Sequence, residues 1–77
     1  MPQPRKLSDI AKDIAEHWPN VWYGAVPYLR AMHEMNTVSE AYGFDDGRSI
    51  VHYFLSNAKT WRGEHARRIK AELKAIV

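Results

Sequence analysis

The chain reads as an all-α protein, a compact bundle of about four short helices. Apolar residues recur at helical spacing in four separate stretches, no stretch alternates apolar with polar residues as a half-buried strand does, and residues that end helices or shape turns collect between the stretches. At 77 residues the chain makes one domain with a thin stability margin, because only about 60% of the unfolded surface of so short a chain can be buried. A 45% hydrophobic content with three tryptophans supplies the apolar surface that a disordered chain lacks.

Residues 1–6 hold two prolines and two cations with nothing to pack, and read as a flexible N-terminal arm; residues 7–77 form a single helical domain. The first helix begins at Leu7. Ser8 is its expected N-cap, Asp9 complements its positive end, and Leu7, Ile10, Ile14, Ala15 and Trp18 make its apolar face until Pro19 stops it. The second helix starts near Gly24 or Ala25, which places Pro27 in the first turn, where a missing N–H costs nothing. Its apolar arc holds Ala25, Tyr28, Leu29, Met32 and Met35. A start at Asn20 would instead require a kink at Pro27.

Asn36 to Gly47 is rich in turn formers and reads as a connection with a helical turn around Ser39 to Tyr42. Asp45 or Asp46 caps the third helix, whose broad apolar face is Ile50, Val51, Phe54, Leu55 and Ala58. Thr60 is the expected cap of the fourth, lined by Ala66, Ile69, Leu73, Ile76 and Val77. Arg62 projects into that apolar arc, so either the helix begins after Gly63 or Arg62 is buried with a partner.

Charge is unevenly distributed. From Lys59 onward, Lys59, Arg62, Arg67, Arg68, Lys70 and Lys74 meet only Glu64 and Glu72, a net charge of +4, whereas residues 1–58 carry −2. Such asymmetry bears on partners and association, not on fold. Arg68 lies between Glu64 and Glu72 at helical spacing and reads as neutralised by them. Arg67, Lys70 and Lys74 share a stripe beside the apolar arc, and with Arg62 and Trp61 they are the expected partner-binding residues. The plain alternative is a solvating helix face. The connection into the fourth helix also permits a helix-turn-helix with Trp61, Arg62, Glu64 and His65 at base-reading positions, although the third helix is long for the role.

Catalytic and metal signatures are missing. The chain has no cysteine, which removes thiol chemistry and cysteine-ligated metals and fits a reducing cytoplasm. His17, His33, His52 and His65 lie on different elements with no i, i+4 pair, and no nucleophile and base, paired carboxylates or glycine-rich phosphate loop stands out. The expectation is a non-enzymatic cytoplasmic protein with no catalytic, cofactor-binding or metal-binding residues. No apolar run approaches the roughly 20 residues needed to span a bilayer, so the chain is not expected to be an integral membrane protein.

Three segments, Tyr23 to Met32 (YGAVPYLRAM), Ile50 to Ala58 (IVHYFLSNA) and Trp61 to Leu73 (WRGEHARRIKAEL), resemble those of small uncharacterised helical proteins of actinobacteria and their phages. The resemblance covers about the last two-thirds of the chain and hands over no site residue. It implies a phage or prophage setting, in which a host or phage protein is the expected partner of an interaction module built on an apolar edge beside the basic last helix. The alternative is nucleic-acid binding by the same stripe. A homo-oligomer is a further expectation, from the small core and many large apolar residues.

Overall fold

The computed structural model describes residues 5–77, and is mostly helical with one very small sheet. Four helices are present among the described residues: α1 (Leu7–His17), α2 (Val26–His33), α3 (Gly47–Ser56) and α4 (Glu64–Ile76). Between α2 and α3 lie β1 (Ala41–Tyr42) and β2 (Asp45–Asp46), an antiparallel pair in which Ala41 faces Asp46 and Tyr42 faces Asp45. This corrects the purely all-α expectation. Gly43, at φ 64°, occupies the first central position of the two-residue loop, which is where a type II′ hairpin turn requires positive φ. Strands of two residues are too short to show alternation, so the periodicity that signals a strand had nothing to act on.

Helix α1 packs on both α2 and α4, and α2 packs on α3. Their apolar faces meet in one core: Leu7, Ile10, Ala11 and Ile14 from α1, Leu29 and Met32 from α2, Ile50, Val51 and Phe54 from α3, and Ala66, Ile69 and Leu73 from α4 are all buried. Trp18 and Trp61 close it, with rings stacked at a centroid distance of 5.3 Å, and Phe54 meets Trp18 edge-on. Met32 and Met35, from the apolar arc expected of the second helix, are core residues, with Tyr28 half-buried beside them.

Two of the four helix starts show tertiary contacts overriding local capping, and two follow the local rule. Ser8 does not cap α1: the N-cap is Lys6, and the amides of Leu7 and Ser8 donate to the carbonyls of Asn36 and Met35, at 3.0 and 2.9 Å. Ala11 takes the buried place expected of Ala15, which is exposed. Helix α2 begins at Val26 with Pro27 in its first turn, as the proline rule requires. At α3 the aspartate cap forms as expected, Asp46 Oδ1 accepting from the Ser49 amide at 2.8 Å. Thr60 caps nothing. The chain turns at Trp61, whose amide donates to Ala58 O, and α4 begins after Gly63, leaving Arg62 exposed on the connection.

Of the expected N-terminal arm, residues 1–4 lie outside the described residues. Arg5 is held against α1 and α4 by its side chain.

Candidate functional site

Helix α4 buries Ala66, Ile69 and Leu73, and its flanks carry charge of two kinds. On the flank facing α1, charges are paired. Arg68 donates to Asp13 through both terminal nitrogens, at 3.1 and 3.4 Å, and Glu72 accepts two bonds from Arg5, at 2.8 and 2.6 Å. Arg5 also lies 3.1 Å from Asp13, and His17 Nδ1 lies 2.9 Å from the other Asp13 oxygen. The Arg68 guanidinium, and then that of Arg5, hold the Asp13 carboxyl below the usual carboxylate range. Arg68 is thus neutralised, but by Asp13 on α1 and not by Glu64 and Glu72 on its own helix.

The same flank brings together two of the four histidines. The His17 and His65 rings stack at 3.7 Å with a 20° tilt, and His65 Nδ1 sits 3.2 Å from Arg68 Nη2. Asp13, Glu16 and His17 place ligand-type atoms within 4.8 Å of one another. Asp13 is already spoken for by two guanidiniums, so a cation would have to displace both, and the cluster is a weak metal centre.

The other flank is different. Arg67 and Lys74 are exposed, Lys70 is half-buried, and Arg62 and Lys59 reach the same side from the 57–63 connection. None of these five cations forms an ion pair among the described residues. Lys70 Nζ donates instead to the carbonyl of Trp61, at 2.7 Å. Burial, then the charges of Lys74 and Arg62, push the Lys70 ammonium below the ordinary lysine range.

Two concavities open here. One, of about 470 Å³, lies where the ends of α3 and α4 approach, and is lined by His52, Leu55, Ser56, Lys59, Lys74 and Val77. The second, of about 270 Å³, is lined by Trp61, Arg62, Gly63, Ala66, Arg67 and Lys70. Between them they hold all five residues expected to bind a partner, and they add Lys59, Leu55 and Val77. Trp61 takes part only at this rim: its indole is buried, with Nε1 donating to His17 O at 3.2 Å. Lys59 was visible as a cation in the sequence, but its nearness to Lys74 depends on how α3 and α4 converge. A helix-turn-helix does not form, since α3 and α4 are not one of the principal packed pairs and Trp61 points inward.

No helix of the described residues is long and apolar enough to cross a membrane. No family model, curated protein or solved structure matches the chain.

Proposed function

We propose that the protein is a non-enzymatic interaction module whose binding face is the unpaired flank of α4 with the groove between the ends of α3 and α4. The partner is a protein segment carrying acidic residues around an apolar one, in keeping with the phage or prophage setting that the sequence resemblance implies. One observation carries the reading: Lys59 and Lys74, neither paired with an acid among the described residues, flank half-buried Leu55 and Val77 in one groove. Apolar floors give such grooves affinity, while complementary charge gives orientation and association rate. Nucleic-acid binding by the same cations is the second reading, supported by their number. Three or four phosphate contacts would give a salt slope of only about −3, enough for weak, sequence-independent attachment.

The test is binding of a labelled acidic peptide with a central leucine, beside a duplex oligonucleotide, across a salt series. We expect the peptide to bind at low salt, and the pair Lys59→Glu and Lys74→Glu to weaken it at least about tenfold, because the reversal replaces attraction by repulsion at two positions. Peptide binding indifferent to the reversal overturns the reading; tighter, steeply salt-dependent binding of the duplex transfers the face to nucleic acid.

A further inference from the structure

We propose that the smaller concavity, where Arg62, Arg67 and Lys70 converge beside Trp61, is a site for a phosphoryl dianion. Its chemistry stands on the cations themselves; only the identification of the carrier, a phosphorylated side chain on the acidic partner segment, rests on the function proposed above.

The cations reach the cavity from two directions. Arg62 comes from the connection, while Arg67 and Lys70 stand three residues apart on α4 and so share a helix face. The walls between them are small, Gly63 and Ala66, which leaves the volume of about 270 Å³ to a ligand. Gly63 sits at φ 113°, in a region that side chains rarely adopt, and a Cβ there would meet nothing within 4 Å, so the mouth is open. Lys70 is tethered, because one ammonium hydrogen is used by the Trp61 carbonyl, and two donors remain. The free protein holds this ammonium partly buried near two other cations, an arrangement that an anion relieves. Glu64, the acid nearest in sequence, pairs with none of them among the described residues.

The donor set favours phosphoryl over carboxylate. A guanidinium fork matches two oxygens of one anion, and two forks with a lysine ask for more acceptor oxygens than a single carboxylate has. A phosphorylated serine carries a charge of about −1.5 to −2 and three strong acceptor oxygens. The phosphodiester of a nucleic acid has one charge per unit and gains from a long track of cations, whereas the cations lining this concavity are three, Arg62, Arg67 and Lys70.

Amide NMR at neutral pH tests the site with three probes: inorganic phosphate, a short acidic peptide bearing one phosphoserine, and the same peptide with serine. Phosphate is expected to move the Gly63, Arg67 and Lys70 signals with millimolar saturation, and the phosphopeptide to bind about tenfold tighter than its serine form. The pair Arg62→Gln and Arg67→Gln, both at exposed positions, should abolish these shifts and the tenfold difference. Lys12→Gln, which removes a positive charge from the exposed side of α1, should change neither. The site is overturned if phosphate leaves those signals unmoved, or if Lys12→Gln weakens binding as much as the arginine pair. Equal binding of the two peptides overturns the phosphoserine carrier and leaves the acidic-segment reading intact; phosphate shifts without binding of either peptide support a small-anion site and sink the protein partner. A duplex oligonucleotide that outcompetes the phosphopeptide at these signals overturns the carrier in favour of nucleic acid.

Discussion

Arg67 and Arg68 are neighbours in the chain and have opposite fates. Arg68 lies over Asp13, which also receives Arg5 and His17, and Glu72 on the same flank of α4 takes Arg5 as well. Arg67 turns to the other flank, where Arg62, Lys70, Lys74 and Lys59 gather without one carboxylate paired to them among the described residues. The cause is in what each flank faces. Helix α1 brings Asp13 and Glu16; the whole stretch from Gly47 to Gly63, which makes α3 and the connection, contains no aspartate or glutamate. Charge on one side of α4 is consumed by folding, and on the other it is left to act on whatever approaches.

Trp61 joins the two flanks, since its indole stacks on Trp18 and bonds the end of α1 while its carbonyl tethers Lys70. Trp61→Ala is therefore expected to have the largest effect, a loss of about 3–5 kcal/mol of stability from the emptied core site. Set against the roughly 5–15 kcal/mol typical of folded domains, that is a large share for so small a core. Urea denaturation followed by circular dichroism measures it. A variant that kept wild-type stability and lost peptide binding would move Trp61 from the core to the contact face.

The helices were legible because their signals are local. Leu7, Ile10 and Ile14 share one face whatever surrounds them, Pro27 cannot sit deeper than a first turn, and Asp46 needs only the Ser49 amide to cap α3. Ser8 and Thr60 misled for one reason: the helix starts nearby are decided by distant chain, the carbonyls of Met35 and Asn36 in one case and the pull of Trp61 into the core in the other. The hairpin at Gly43 has strands too short for periodicity. In the candidate site, angular placement along α4 separated Arg67, Lys70 and Lys74 from Arg68. It could not show that the acid holding Arg68 lies 55 residues away. The direction of Trp61 is not set by spacing along α4, because it precedes the helix; Gly63, which stops α4 from extending back, is the sign in the sequence that it turns elsewhere.

Asp13→Asn tests the paired flank. It withdraws the charge shared by Arg68, Arg5 and His17, on a side chain only 14% exposed, and should cost about 1 kcal/mol at neutral pH, the upper range for such pairs. The pH dependence fixes the cause. Because the folded protein holds the Asp13 carboxyl below its ordinary value, its stabilisation is complete above the unfolded pKa of about 3.9 and is lost as pH falls through the lower folded value. Wild type and variant should differ in urea midpoint at pH 7 and converge in acid. A difference that persists unchanged in acid would assign the effect to packing and leave the flank's charge pairing without a role in stability.

Lys70→Met asks the same question of the unpaired flank and should give the smallest effect, within about 0.5 kcal/mol of wild type. It removes one hydrogen bond to Trp61 O, and it also removes an ammonium disfavoured by burial and by two neighbouring cations. The sign with pH is opposite to that of Asp13. A lysine whose folded pKa is depressed penalises the folded state while it is charged, so the penalty is present below the depressed value and disappears as pH rises past the unfolded value of about 10.4. Wild type should therefore gain on the variant as pH climbs through that window, where Asp13 no longer titrates. If Lys70→Met instead costs as much as Asp13→Asn at neutral pH, Lys70 serves the fold as Arg68 does, and α4 has no flank held in reserve for a partner.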